Sequence, residues 1–204
     1  MCFIFMENQE NLWDKIAPEW HHYKERPSEN AIKFLKKTTG TVLDLGSGSG
    51  RHLLKIKKGK MFLLDFSKKM LELAEKKAKK EKIPAEFIKS ELHEIPMADE
   101  FFDFAICVSA LHCIGTSEKR RKTIKELKRV LKRGGEAYIG VWNKGSKRFK
   151  NSEKEKFVGW SNLGKRYYYL FDEKEVHELF KEVGFEIVST PNTEMMINFV
   201  VKKL

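Results

Sequence analysis

Val42-Leu43-Asp44-Leu45-Gly46-Ser47-Gly48-Ser49-Gly50 reads as a short apolar strand that ends on an acid and then turns through three glycines. Glycine has no Cβ and accepts positive φ, so the chain can turn sharply there and a ligand can approach the main chain closely. In doubly wound α/β folds, such a turn at the carboxyl end of a parallel strand is where nucleotide-like ligands sit. The spacing speaks against a dinucleotide, whose fingerprint is G-x-G-x-x-G serving a pyrophosphate on a helix N-terminus. Here it is G-x-G-x-G, and Asp44 stands two residues before Gly46. A carboxylate at that place repels a pyrophosphate and can pair with an ammonium.

The surrounding composition is that of a globular α/β chain. The 204 residues are 41% hydrophobic and 12% aromatic, enough for one domain with a real core. No apolar run approaches the roughly 18 residues of a membrane span. Met1-Cys2-Phe3-Ile4-Phe5-Met6 is too short for a signal peptide and is expected to be a loose tail. Cys2, Cys107 and Cys113 form no C-x-x-C pair; an odd count argues against a disulfide framework or a structural zinc site and suits a reducing cytoplasm. Forty Lys+Arg against 29 Asp+Glu leave a net charge of +11. Runs such as Lys76-Lys77-Ala78-Lys79-Lys80-Glu81-Lys82 read first as solvated helix faces, and Lys/Glu enrichment also marks thermophile composition. An excess of eleven nevertheless points to a polyanionic partner.

Periodicity and punctuation give the element order. Two amphipathic segments, about 9–22 and 28–37, precede strand one at Thr41–Leu45, and a short helix is expected from Arg51. Lys60–Leu64 forms strand two, and Ser67 caps a helix running to about Lys82. Glu86–Lys89 and Asp103–Ser109 are strands three and four. A basic helix begins at Ser117 and is expected to stop at Gly134-Gly135, before strand five at Glu136–Trp142. The stretch 143–165 has little pattern and reads as a loop. A helix over Asp172–Val183 closes on Gly184, followed by strands near Phe185–Ser189 and Met195–Lys202. Strands alternating with helices predict a mostly parallel sheet.

Asp65, at the tip of strand two and about 20 residues past the glycine turn, is placed to hold a ribose diol; its other reading is a helix cap. The ordered set Asp44, Asp65, Glu91, Phe102-Asp103 and Gly134-Gly135, over residues 40–142, resembles the class I methyltransferases that use S-adenosylmethionine. The amino-acid end of that cofactor carries the ammonium that Asp44 suits. The resemblance implies a Rossmann-like fold with a seven-stranded, mostly parallel sheet, helices on both faces and N-terminal helices. It implies a cofactor set of Asp44, Gly46, Ser47, Gly48, Asp65, Phe66, Glu91, Leu92 and Ser109, with Glu91 and Leu92 at the adenine. A single domain is expected, divided into an N-terminal helical lid (1–38), a cofactor-binding core (39–142), a substrate loop (143–170) and a C-terminal helix with an edge hairpin (171–204).

The acceptor is read from the exit of strand four and the later loop. His112 stands where a general base would act, worth roughly 10²–10⁴ in rate, or where a histidine merely packs. Leu111-His112-Cys113-Ile114 through Arg121, Val158-Gly159-Trp160 and Arg166-Tyr167-Tyr168-Tyr169-Leu170-Phe171 together resemble the carboxyl methyltransferases of the tRNA wobble uridine 5-carboxymethyluridine. Asp14-Lys15-Ile16-Ala17-Pro18-Glu19-Trp20 fits that family too, so the likeness covers about 12–185. It implies an ionised carboxylate acceptor on an anticodon loop, a catalytic group of His112, Arg166 and Tyr167, and phosphate contacts from Lys24, Arg120 and Arg121. It also implies a small zinc-binding activator protein on an apolar edge strand. Cys113 stands where that family commonly has a second histidine, and Pro27-Ser28-Glu29 replaces its Pro-Trp-Pro. A small-molecule oxygen or carboxylate acceptor is the second reading, and a cofactor- or RNA-binding module without catalysis the third.

Overall fold

The computed structural model describes residues 8–191 and 193–204; the expected tail Met1–Met6 lies outside them. A seven-stranded sheet runs in the order β3-β2-β1-β4-β5-β9-β8. β1 (Thr39–Leu45), β2 (Lys57–Asp65), β3 (Ala85–Lys89), β4 (Phe102–Val108) and β5 (Leu131–Trp142) are parallel. β9 (Met196–Lys203) pairs antiparallel with β5 and with β8 (Phe185–Ser189). Both sheet faces are covered, because side chains alternate along each strand. Leu43, Leu45, Phe62, Leu64, Ala105 and Cys107 pack towards α4 (Ser117–Val130) and α5 (Glu173–Val183). Val42, Met61, Leu63, Ile106 and Val108 pack towards α2 (Glu29–Leu35) and α3 (Lys68–Glu81). No helix of the described residues is long and apolar enough to cross a membrane.

The helix ends follow capping chemistry. Ser67 accepts a hydrogen bond from the Met70 amide, Thr116 accepts one from Lys119, and Gly184 closes α5 at φ +92°. Asp103, from the Phe102-Asp103 pair, is a stitch between strands. Its Oδ2 accepts from the Thr41 amide at 2.8 Å and the Thr41 hydroxyl at 2.9 Å, and its Oδ1 accepts from Lys132.

Three expectations need correction. No helix starts at Arg51; the chain makes consecutive turns, with the Gly50 amide donating to Ser47 and the Leu53 amide to Gly50, until β2 begins at Lys57. Gly46, Gly48 and Gly50 all hold positive φ, and the six residues from Arg51 to β2 are too few to offset the cost of a helix nucleus. Gly134-Gly135 does not end α4, which stops at Val130 and passes straight into β5. Phe102 pairs with Leu131 but Phe104 with Glu136, so the glycines form a bulge against β4. The stretch 143–165, expected as loop, contains β6 (Glu155–Trp160), which pairs with β7 (Gly164–Tyr169) as a separate hairpin. Lys156, Val158 and Trp160 are half-buried while Glu155, Phe157 and Gly159 are exposed, an alternation hidden by the lysine and glycine content.

At the other end of the sheet from the glycine turn, a Cβ on Gly59 would lie 1.8 Å from the Gly40 carbonyl oxygen. Gly59→Ala must push β2 from β1, and we expect about 1–3 kcal/mol lower stability in urea unfolding. An unchanged midpoint contradicts this packing.

Candidate cofactor cavity and its aromatic mouth

The carboxyl ends of β1, β2 and β4 open into a cavity of about 440 Å³, within the range of small-ligand sites. α1 (Gln9–Tyr23) roofs it, contributing Trp13 and Trp20 to the wall. The roof is tied down at two places. Asp14 Oδ1 accepts from the Ser67 hydroxyl at 2.6 Å and the Lys69 amide at 3.1 Å. At the start of the helix, the Gln9 side chain donates to the Lys165 carbonyl and accepts from the Tyr167 amide.

Eight of the nine expected cofactor residues are in this wall: Gly46, Ser47, Gly48, Asp65, Phe66, Glu91, Leu92 and Ser109. The ninth, Asp44, lies fully buried beneath the turn, and neither carboxylate oxygen has a hydrogen-bond partner among the described residues. Burial pushes its pKa up to about 7, while the Arg51 guanidinium pulls the other way. Asp65 is also buried. Its Oδ2 accepts from the Gly48 amide at 2.8 Å and its Oδ1 from the Ser67 amide at 2.9 Å, so it fastens the glycine turn to the tip of β2. Burial raises its pKa to about 6 against those two bonds.

These residues fit S-adenosylmethionine. Asp44 is an orphaned buried acid suited to an ammonium. A Cβ at Gly48 would meet nothing within 4 Å, so its absence leaves open space beside the main chain. Asp65 keeps lone pairs for hydroxyl donors beyond its two amide bonds. Arg51, expected from sequence only as a helix start, is in the wall, where it donates to the Ser109 hydroxyl at 3.1 Å. A cation directly after the third glycine and seven residues after a buried acid was the available signal.

The expected catalytic group is arranged differently. His112 sits in a 3-10 turn (Leu111–Cys113), is buried, and stacks on Trp142 with centroids 5.1 Å apart. Its Nδ1 accepts from the Trp142 amide at 3.1 Å, so the proton of the neutral ring is on Nε2 and neither nitrogen offers a free lone pair. Burial, reinforced by Arg51, holds its pKa down at about 3. His112 is therefore a packed neutral ring, correcting the general-base reading.

Arg166 is also buried and lies behind the wall, donating to the Tyr168 hydroxyl at 2.7 Å. Its guanidinium carbon is 4.8 Å from the Trp160 ring centroid and 5.0 Å from that of Trp20. It supports the rings from below and does not face an acceptor in the cavity. Tyr167 points to the opposite side of β7 from Arg166 and Tyr168, against Phe157 at 5.7 Å, and is not in the wall.

What this support carries is an open aromatic mouth. Trp20, Tyr23 and Trp160 lie within 5.2–6.3 Å of one another, and Tyr23 is 67% exposed. The Lys24 ammonium sits 5.0 Å from the Tyr23 ring and 5.6 Å from Trp20. Glu19 accepts from the Trp160 indole at 2.7 Å, joining α1 to the hairpin. Trp160 is named from the sequence, and Trp20 only within the Asp14–Trp20 stretch without a role; Trp13 and Tyr23 are missed, although their i, i+7 and i, i+3 spacing to Trp20 on one helix is visible.

Comparison with known proteins matches residues 42–135 to a methyltransferase-domain family. An uncharacterised protein of Methanocaldococcus jannaschii is 32% identical, over 90% of this chain and 85% of its own. The tRNA (carboxymethyluridine(34)-5-O)-methyltransferase of Schizosaccharomyces pombe is 26% identical, over 87% of this chain and 88% of its own. Among solved structures, a SAM-dependent methyltransferase from Methanosarcina mazei superposes with a TM-score of 0.72 at 22% identity, covering 88% of this chain and 99% of that one. A chain from the complex between the Haloferax volcanii Trm112 methyltransferase activator and a putative methyltransferase gives 0.69 at 18% identity, covering 98% and 99%.

The buried acid predicts a pH-dependent cofactor affinity. Below its pKa of about 7 Asp44 is protonated in the free protein, and the attraction for an ammonium is lost as pH falls. Calorimetry with S-adenosylmethionine should show about tenfold weaker binding at pH 6 than at pH 8. Asp44→Asn should bind weakly at both. A flat profile in the unaltered protein would remove the carboxylate–ammonium pair.

Proposed function

Because the chain belongs to the class I S-adenosylmethionine-dependent methyltransferases, we propose that it methylates tRNA, esterifying the carboxymethyl group of a wobble uridine. S-adenosylmethionine supplies a methyl group on a positively charged sulfur, open to attack by an anionic oxygen. Asp44 and the glycine turn hold the amino-acid end, Asp65 the ribose, and Glu91 with Leu92 the adenine edge. Such an acceptor is ionised at neutral pH, so the protein must orient it more than deprotonate it. That requirement agrees with a His112 that offers no lone pair.

The observation that carries the RNA reading is the mouth made by Trp20, Tyr23, Trp160 and Lys24. Flat aromatic faces beside a cation are how proteins hold unstacked bases of single-stranded RNA. The Schizosaccharomyces pombe relative, similar over most of its length, supports the same acceptor. A small oxygen or carboxylate compound fits the cavity equally but leaves the exposed Tyr23 ring without a role. For a partner, β3 is an edge strand with Phe87 half-buried on it, a place where a small zinc-binding activator can add; the Haloferax volcanii complex supports that pairing.

Labelled S-adenosylmethionine incubated with undermodified tRNA, followed by nucleoside analysis, should place label in the methyl ester of the wobble uridine. Label absent from that nucleoside, with and without an added activator, rejects the proposal. Tyr23→Ala removes an exposed ring and should raise KM for tRNA about tenfold, the scale of one lost base stack. Its affinity for S-adenosylmethionine should not change. An unchanged KM removes Tyr23 from substrate recognition.

A further inference from the structure

A second cleft, of about 320 Å³, runs between the end of α1 and the side of α3. It meets the cofactor cavity, because Lys24, Ser49 and Arg51 belong to both walls. Its cationic lining is Lys24, Arg51, Lys76, Lys77 and Lys80, with the His21 ring beside them, set against two carboxylates, Glu25 and Glu81.

The lysines of α3 differ in their partners. Lys69 and Lys79, away from the cleft, pair with Glu72 and Glu75 at 2.8 Å, as a solvated helix surface does. Among the described residues, Lys76 and Lys80 have no carboxylate within 4 Å, although both line the cleft. Lys77 reaches inward and donates to the Gly50 carbonyl at 3.0 Å, which holds its charge beside the glycine turn.

The basic groups also crowd one another. Burial lowers the proton affinity of Lys24, and Arg51, Arg148 and Arg166 lower it further. His21 is lowered by burial, His22 and Lys77, against an opposite pull from Glu25. Like charges gathered in a concave surface and outnumbering the acids there cost stability in the free protein, and an anion relieves that cost.

We propose that this cleft is a phosphodiester-binding groove, seating the RNA backbone next to the nucleotide whose base rests on Trp20, Tyr23 and Trp160. The proposal rests on the RNA reading of the aromatic mouth and extends it to a second, sequence-independent surface. Lys24 joins the two, lying over the Trp20 and Tyr23 rings while also lining the cleft. Phosphate contacts of this kind position the strand and leave base recognition to the rings.

The test is binding of an anticodon stem-loop RNA, followed by fluorescence anisotropy over a series of salt concentrations. The double variant Lys76→Gln/Lys80→Gln should bind about tenfold more weakly at low salt. Its log-affinity against log-salt slope should be shallower by about one to two, as expected when one or two phosphate contacts are lost. Its affinity for S-adenosylmethionine should equal that of the unaltered protein. Lys33→Gln/Lys36→Gln, on α2 and at its C-cap and outside the cleft, should leave RNA binding unchanged.

Unaltered RNA affinity and slope in the first variant, or an equal loss in the second, overturns the groove. Transfer to the wobble uridine, measured in parallel, separates this inference from the function itself. Wobble transfer with an unaffected Lys76/Lys80 variant removes the groove and keeps the function. RNA binding that depends on Lys76 and Lys80, without wobble transfer, keeps the groove and removes the acceptor.

Discussion

A buried carboxylate at the tip of β1 sets the terms for the rest of the structure. Asp44 is withdrawn from water with neither oxygen hydrogen-bonded among the described residues. Such a group is expensive unless something compensates it. Asp65 stands on the adjacent strand, facing the same side of the sheet, and adds to the repulsion. Part of the compensation is local: Arg51 is drawn to Asp44, and the amides of Gly48 and Ser67 serve Asp65. The remainder is supplied by the two apolar layers on either side of the sheet, which hold the strand tips in place whatever the acids would prefer. A positively charged ligand end is what this arrangement lacks.

The cavity has walls without α1 but no roof. α1 is held by Asp14 at the N-terminal turn of α3 and by Gln9 at β7, so it bridges the sheet domain's two flanks. Its ring cluster needs Arg166 beneath it. A guanidinium among three indoles and a tyrosine is held by cation–π attraction in a region that excludes water. The hairpin β6–β7 therefore matters for the mouth, since it presents both Trp160 and Arg166.

Much of the sheet was legible because buried parallel strands are apolar runs closed by turn residues, and because Ser67, Ser117 and Gly184 punctuate the helices. The misreadings share a physical cause. Glycine serves helix stops, bulges and ligand turns alike, so Gly134-Gly135 could not be assigned until the partner strand β4 was in place. The turn after Gly50 likewise looks like a helix start until the positive φ at Gly46, Gly48 and Gly50 and the short span to β2 are seen. In the hairpin, Lys156 occupies a half-buried strand position, its stem lying along apolar surface while the charge reaches water. For His112, Arg166 and Tyr167 the residue types suggested chemistry, but one face of a strand or one backbone amide decides whether a side chain meets the cavity.

By itself the sequence determined the fold class, the cofactor and eight of the residues that line the cavity. Those depend on short-range facts: an acid and three glycines within one turn, and strands that read as such from their own residues. Tertiary structure decided which side chains share the cavity mouth. Trp20 and Tyr23 come from α1 and Trp160 from the hairpin, segments separated by more than a hundred residues, and they meet only because the sheet between them folds. It also decided which lysines of α3 are paired and which face the cleft. Helical spacing places a charge on a face, but only the neighbouring element determines whether that face meets water, a carboxylate or another cation.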